Sequence, residues 1–468
     1  MSKVFITSGM SYGDEGKGTF VDYLAHLHVL SSTVRYGGGA QARHTVVAPN
    51  GLKHSFSQLG SGMMLQDSQT YLTANMVVNP MSLVVEALEF ANKLGLSAID
   101  VISRVTIAGD CPVVTPYHRT LCHLREFAGP GYRRGRVGTG TSDVRPLLRE
   151  ASLGLTMNDL MSGDFGRQIV ELRNYATNFY REHESSISQF CPTDMQNDLR
   201  SVLGSLCAVD EVIDHYRRLT CDYDFNVTND PVLQETCQSG AVFETSQGLL
   251  LDEVYGTTPH VTQVDTTNVY GVQLAQNLTD AEVYKVGIVK ALASRHGMGA
   301  FPTEDTQVAS MVIDDNQQES FFMGSVRWGW FDALLIRYAQ MVNHADTLYV
   351  SCLDQLDGFE NIKICDAYIY DGKVDDEFRA VFEFEYQGPK CIVHNIIGPS
   401  NNLSRYLSQC RPIYMTVKGW MVSTRNVMSG AELPQRSLDY LELITKLTGI
   451  KVSVVSVGPT REQKVAIS

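Results

Sequence analysis

The chain has 468 residues, 44% hydrophobic and 19% charged, with 38 Gly and 15 Pro, a composition that supports a sizeable core and excludes a disulfide miniprotein, a collagen-like fibre or a disordered chain. Fifty-two acidic against 38 basic residues leave a formal charge of −14, and with no polybasic block, nucleic acid is not an expected partner. No apolar run followed by a cleavage site opens the chain, and no stretch reaches the roughly 18 apolar residues of a membrane helix, so a soluble, unexported, cytoplasmic protein without a membrane partner is expected. The ten cysteines form neither a CxxC pair nor a zinc-spaced Cys/His cluster, and reduced, mostly buried thiols follow.

Residues 3–8 form a β-prone run that ends in a glycine-bearing loop, and Phe20, Leu24 and Leu27 give residues 19–30 a helical period. Further on, the patterns predict a helix over 81–94 and a strand over 105–108. Residues 151–237 carry helical patterns (164–183, 194–206, 210–218) without a convincing strand, and read as a mainly helical insertion or subdomain. A helix over 331–342 precedes a strand over 348–351. Residues 367–385 alternate aromatic and acidic side chains around Asp371-Gly372, which predicts a β-hairpin. Strands over 392–397 and 452–457 complete the pattern. The alternation of strand and helix argues for an α/β fold: one large domain over residues 1–468 with a mostly parallel central sheet, the helical insertion and a small hairpin subdomain.

The loop Gly9-Met-Ser-Tyr-Gly-Asp-Glu-Gly-Lys-Gly18 has the parts of a phosphate cradle: glycines that let amides approach oxygen, a following helix N-terminus, and a lysine. It is not a Walker A loop, since six residues rather than four separate Gly9 from Gly16 and Gly18 stands where Ser or Thr would follow the lysine.

Together with Arg35-Tyr-Gly-Gly-Gly-Ala-Gln-Ala-Arg-His-Thr45, this loop resembles the adenylosuccinate synthetase family, with its GDEGKGK and RxxGGxNAGHT segments. The likeness runs down the chain through Pro116-Tyr-His118, Gly138-Thr139, Glu244-Thr-Ser-Gln-Gly-Leu-Leu-Leu-Asp252, Gly256-Thr-Thr-Pro-His-Val-Thr262, Gly297–Glu304, Leu353–Cys365, Gly419-Trp420 and Ser456–Arg461. The resemblance implies a GTP- and Mg²⁺-dependent ligase, usually homodimeric, that phosphorylates the 6-oxo group of a purine nucleoside monophosphate and then admits an amine. By the same resemblance Asp14 is the base at purine N1 and contacts Mg²⁺, aided by the Arg43 carbonyl. His44 hydrogen-bonds the departing β-phosphate side, and Lys17 with the glycine-loop amides stabilises the transferring phosphoryl group. Gly13, Glu15, Gly16, Gly18 and Thr45 line the GTP phosphates, Asp354 reads the guanine, and Ser456, Gly458 and Pro459 lie against that base. Gln41, Ala42, Thr139, Thr141, Arg149, Gln247 and Thr262 contact the purine monophosphate. His118 reads as a local packing residue.

Several positions depart from the family pattern. The ATTGRRRRxGW segment that holds the aspartate carboxylates reads Ser320 to Trp330, with Arg327 its one cation and Phe321 and Phe322 at the threonine positions. Each charge-assisted hydrogen bond so lost is worth about 1.5–3 kcal/mol, and the amine donor, aspartate or another, stays open. Arg43 replaces a glycine, and the GTTGRGIGP loop becomes Gly138 to Pro146, with Arg145 and Arg149 both candidates for an arginine reaching across a dimer. The lysine of TKLD, which runs along the guanine, is Cys352, and its threonine is Ser351. Two other readings are a nucleotide-binding sensor without turnover and a phosphoryl transferase or GTPase that lacks the amine step.

Overall fold

Val4 and Ile6 of the first strand, β1 (Ser2–Gly9), are buried in one core cluster and Phe5 in another on the opposite side, the two-faced burial of a strand inside a parallel sheet. The structure is a computed structural model that describes residues 2–129, 138–204, 207–228, 233–312 and 324–467. After β1 come β2 (Ser32–Arg35), β3 (His44–Val47), β4 (Lys53–Phe56), β5 (Gln69–Leu72), β6 (Val105–Ala108), β7 (Asn226–Thr228), β8 (Ala241–Glu244), β9 (Ala281–Lys290) and β10 (Ala293–Arg295). The remaining strands are β11 (Arg327–Gly329), β12 (Phe331–Asp332), β13 (Thr347–Ser351), β14 (Asn361–Tyr370), β15 (Phe382–Gln387), β16 (Lys390–Ile396), β17 (Cys410–Lys418), β18 (Val452–Ser456) and β19 (Lys464–Ala466).

Ten of these make the central sheet, in the order β19-β18-β13-β9-β1-β8-β2-β5-β6-β7. All its pairings are parallel except β18 with β19. The expected α/β architecture is therefore the observed one. Helices α1 (Lys17–His28) and α2 (Pro80–Leu94) lie close to the predicted spans. Asn79 caps α2 by accepting from the Ser82 amide, with Pro80 at the first helical position. After α3 (Ala98–Ile102), helix α4 (Pro116–Phe127) begins at a capping box in which His118 Nδ1 lies 3.1 Å from the Thr115 amide, so this fully buried histidine has the local role that the sequence suggests. No helix among the described residues is long and apolar enough to cross a membrane. Seven of the nine described free cysteines are buried.

Three expectations need correction. Residues 151–237 are mainly helical, with α5 (Thr141–Ala151), α6 (Met157–Ser162), α7 (Gly166–Phe190), α8 (Thr193–Gly204), α9 (Cys207–Asp222) and α10 (Leu233–Thr236), yet the short strand β7 also lies there and extends the central sheet beside β6. Three residues are too few to give a period-2 signal. The hairpin at Asp371-Gly372 is absent. β14 and β15 never pair, because both lie against β16 in a second, five-stranded sheet. Asp375 accepts from the Phe378 amide at 2.8 Å and starts a helical turn over Asp376–Val381, which splits the aromatic alternation between helix and strand. For the same reason the run at 392–397 belongs to that second, mostly antiparallel sheet and not to the parallel one.

The helix predicted from 331 starts two residues later, at Ala333–Asn343, since Asp332 acts as its cap and accepts from the Leu335 amide at 3.2 Å. Asp332 is 5% exposed, and Tyr368 donates to its other oxygen at 2.6 Å. Burial outweighs both hydrogen bonds and pushes this carboxyl from 3.8 up to about 7. A raised carboxyl binds its proton more tightly in the folded state, so its contribution to stability is full below pH 3.8 and is lost as pH rises towards 7. The neutral isostere Asp332→Asn should therefore gain on the wild type across that window, by at most about 1.4 kcal/mol per pH unit, as read by urea unfolding at stepped pH. A constant difference between the two proteins would mean that Asp332 does not titrate there.

Candidate active site

Strands β1, β2, β8, β9, β13 and β18 all end at the same edge of the central sheet, where crevices of parallel sheets bind ligands. The loop after β1 turns through Gly13, Asp14 and Gly16 at φ of 87°, 55° and 77°, and Gly16 directly precedes α1, so the first amides of that helix face the loop. Glu15 is turned inward. One of its oxygens takes the Ser11 amide at 2.5 Å and the other meets Lys17 Nζ at 2.9 Å, with both side chains almost fully buried. Burial raises the Glu15 pKa against the pull of Lys17. Glu15 thus braces the loop, while Lys17 stands at the helix entrance.

Asp14 is the outward member of this loop, its side chain 48% exposed, and its Oδ2 lies 2.5 Å from His296 Nε2. Desolvation would raise its pKa, but the hydrogen bond and charge of His296, with Lys290 and Lys17 behind, hold the carboxyl well below the usual range. Lys290, at the end of β9, donates to Ser294 at 2.9 Å and lies over the Trp328 ring at 4.6 Å. His296 follows β10, whose Arg295 is anchored to Thr257 Oγ1 at 3.0 Å and to the Ala300 carbonyl at 2.9 Å.

His44, the first residue of β3, packs on the same helix entrance: a methyl group at Gly18 would come within 2.7 Å of its Cβ, so this position is closed to larger residues. His44 Nδ1 is 2.5 Å from Glu244 Oε1. Glu244, at the end of β8, also takes the Ser61 hydroxyl at 2.5 Å and the Ser61 amide at 3.0 Å. Burial lowers the His44 pKa while Glu244 opposes it. In Glu244, burial is overcome by Arg35 and His44, and the carboxylate stays ionised. With Nδ1 tied to Glu244, Nε2 is the ring atom left to face a ligand.

The residues expected on the purine side are brought together by close approach. A methyl group on Gly39 would lie 2.2 Å from Thr141 Cγ2 and 2.8 Å from Gln41 Oε1, which brings together residues 39–42, with Ala42 buried, and the Thr139–Thr141 pair, whose hydroxyls are 3.1 Å apart. The backbone of Gln247 and Gly248 packs under Gly9 to Gly13. Both amide atoms of Gln41 and the Gln247 Oε1 are buried without a hydrogen-bond partner among the described residues, as polar groups are when a ligand completes them. Thr262 donates its hydroxyl to the Leu251 carbonyl at 3.1 Å. Arg149 is 56% exposed and paired with Glu253 at 2.9 Å, while Arg145 donates to the Asn75 carbonyl at 2.6 Å. Thr45 bonds Ser55 at 2.8 Å across the β3–β4 hairpin, and Arg43 is exposed beside it.

The expected base pocket lies beyond Gly16, which approaches Ser351. Asp354, in the turn Leu353–Leu356, takes Arg425 Nε at 3.2 Å, and burial raises its pKa. Ser456 closes its own loop onto the Gly458 carbonyl at 2.7 Å, and Thr19 of α1 holds the Pro459 carbonyl at 3.0 Å. Arg461 locks this loop to α1 through two bonds to the fully buried Asp22, at 2.9 and 3.0 Å. Phe321 and Phe322, which stand at the threonine positions of the family's donor segment, lie outside the described residues. Arg327 is committed to Glu304 at 2.9 Å and to the Gly297 and Gly299 carbonyls at 3.0 and 2.8 Å.

Sequence reasoning gave no role to Glu244, Ser61, Lys290 or His296. Glu244 opens one matched segment and His296 directly precedes another, but their partners lie far away in the chain.

The adenylosuccinate synthetase family model matches residues 6–465. Adenylosuccinate synthetase of Brevibacillus brevis is 31% identical over 482 residues, covering 100% of this chain and 99% of its own length. That of Actinobacillus pleuropneumoniae serotype 3 is 32% identical over 470 residues, with 98% and 97% covered. Of solved structures, fully ligated adenylosuccinate synthetase from Plasmodium falciparum aligns at a TM-score of 0.75 and 20% identity, with 100% of both chains covered. The succinoaminodeoxyadenylate synthetase of cyanophage S-2L, bound to dGMP and to dATP as an energy donor, aligns at 0.56 and 14% identity, covering 100% of this chain and 95% of that one.

Replacing Glu244 by Gln keeps its shape but removes the charge behind His44, so kcat should fall about 10²-fold with KM changed far less, an effect typical of groups that orient a catalytic side chain. Equal losses in kcat and in nucleotide binding, measured by steady-state kinetics and calorimetry, would instead mark Glu244 as purely structural.

Proposed function

This chain belongs to the adenylosuccinate synthetase family and is a GTP-dependent ligase; we propose that it phosphorylates the 6-oxo group of a purine nucleoside monophosphate with GTP and Mg²⁺, and that an amine then displaces the phosphate. The observation that carries this reading is the ionised Asp14 beside a helix entrance that also holds Lys17 and the His44–Glu244 pair. Asp14 takes the proton from purine N1, which sharpens O6 as a nucleophile. His44, with Glu244 at Nδ1, presents Nε2 to the β-phosphate of the departing GDP as O6 takes the γ-phosphoryl group, and the carboxylate behind it favours the protonated ring as negative charge grows there. Lys17 and the first amides of α1 offset the charge of the transferring group.

The donor set suits Mg²⁺. That ion takes one or two protein oxygens beside substrate phosphates and keeps several waters, and the half-exposed, ionised Asp14 carboxylate is such a donor, with the Arg43 carbonyl the second by the family resemblance. When bound, Mg²⁺ neutralises phosphoryl oxygens. Gln41, Ala42, Thr139, Thr141, Gln247 and Thr262 hold the monophosphate in this reading, and Asp354 with the Ser456–Pro459 loop holds the GTP base. The family resemblance supports a homodimer in the cytoplasm, with Arg149 the exposed candidate to reach a neighbour. A sensor without turnover draws no support from a site that keeps both Asp14 and His44, and a phosphoryl transferase that never forms a C–N bond, which would keep both, draws none from relatives named as synthetases.

For the donor, one observation favours an amine of lower charge than aspartate: Arg327 is already bound to Glu304 and two carbonyls. The test is mass spectrometry of products after incubation with GTP, Mg²⁺ and one of IMP, dIMP, GMP or dGMP, each with aspartate or with a neutral amino acid. A C–N adduct is expected, reduced about 10³-fold in Asp14→Asn. A succinyl adduct formed as readily as any other would sink the low-charge donor, and GTP bound without any product would favour the sensor.

A further inference from the structure

The family lysine that runs along the guanine is Cys352 here, and a thiol has neither its charge nor its reach. A buried cation nevertheless stands against the loop expected at the base. Strands β13, β18 and β19 lie side by side, with Val350 opposite Val455 and Ser456 opposite Lys464, so Cys352, Ser456 and Lys464 stand near one another at the same edge of the sheet. Lys464 is 6% exposed, and lysines are seldom so deeply buried without a counter-charge. Its ammonium donates to the Gly458 carbonyl at 3.1 Å and to the Thr460 carbonyl at 2.6 Å. Both acceptors are neutral, Gly458 belongs to the loop expected against the base and Thr460 directly follows it, and the third N–H has no acceptor among the described residues. The Phe20 ring, 5.8 Å away, is its further neighbour. Burial draws the pKa of Lys464 down to about 8, with the Cys352 thiol and the carboxylates of Asp22 and Asp354 acting in the other direction.

Resting on the ligase reading above, we propose that Lys464 is a specificity-determining residue that takes over from the missing lysine and, with Asp354, selects a 6-oxopurine triphosphate over a 6-aminopurine one. The chemistry is complementary. A 6-oxopurine presents an acceptor at O6 and a donor at N1, which match an ammonium and a carboxylate. Adenine presents the reverse, an amino donor towards the ammonium and a bare N1 towards the carboxylate, and both contacts then repel. The uncommitted proton on Lys464 gives O6 its charge-assisted bond.

The test compares kcat/KM of the full chain with GTP, ITP and ATP, ITP keeping the 6-oxo group without the 2-amino group. Wild type is expected to favour GTP and ITP over ATP by at least about 10²-fold, consistent with sites that reject an analogue leaving buried polar groups unpaired. Lys464→Met should cut that preference about 10-fold or more, mainly through KM for GTP and ITP, and Cys352→Lys added to Lys464→Met should restore part of it. A wild type that prefers ATP overturns the proposal, as does a Lys464→Met protein that loses all three nucleotides in equal measure. Should Lys464→Met fail to fold, Lys464→Arg reads the same ratio: retained 6-oxo preference supports the proposal and an equal loss for all three nucleotides overturns it. If wild type forms no C–N product with any triphosphate, the ligase reading fails by itself, and calorimetric binding of GTP and ATP to wild type and variant still reports the ratio.

Discussion

The carboxylate of Glu244 is withdrawn completely from water, and four segments of the chain are arranged around it. It ends β8, receives both the amide and the hydroxyl of Ser61, holds the imidazole of His44, and is kept ionised most strongly by the charge of the fully buried Arg35 of β2. A buried carboxylate costs several kcal/mol unless its lone pairs are filled and a counter-charge is near, so these contacts are conditions of the fold as well as of the chemistry. Arg35 is in turn bound to Ser246 at 2.8 Å and to the Leu59 carbonyl at 3.2 Å. The aim of His44 and the packing of β2, β3 and β8 therefore stand or fall together.

The central sheet turns this network into a site. Parallel strands bring their carboxyl ends to one edge, and the loops that leave β1, β2, β8, β13 and β18 are narrow enough there to touch: Gly18 against His44, Gly39 against Thr141, Gln247 beneath Gly13. Backbones at that spacing leave little room for water to satisfy what they bury. Gln41, Gln247 and the Ser351 hydroxyl all keep unpaired polar atoms in this region, which is costly in an empty fold and favourable once a ligand fills the hydrogen bonds.

What could be read from the chain was local. The loop from Gly9 to Gly18 stands out as a candidate anion site because its glycines, its lysine and the helix that follows are contiguous, and β1, α1, β6 and β18 stand out because each carries its own apolar pattern. What escaped was either too short or too distant. β7 has three residues, below any periodic signal, and the aromatic run near Asp375 looks like strand until the cap is seen. His44 and Glu244 are 200 positions apart, and no spacing rule joins them. Likewise His296 reads as an ordinary residue between two strands until the fold sets it on Asp14.

The bond between Asp22 and Arg461 joins residues 439 positions apart. The glycine loop and the loop that clamps its helix are thus separated in sequence by most of the central sheet. Contacts of such long separation form late, since the entropy of closing so large a loop must be met before they return anything. A folding intermediate that lacks this contact thus has its glycine loop but no clamp upon it, and a ligand that needs both stabilises only the state in which they are joined, shifting the final equilibrium without rescuing earlier intermediates.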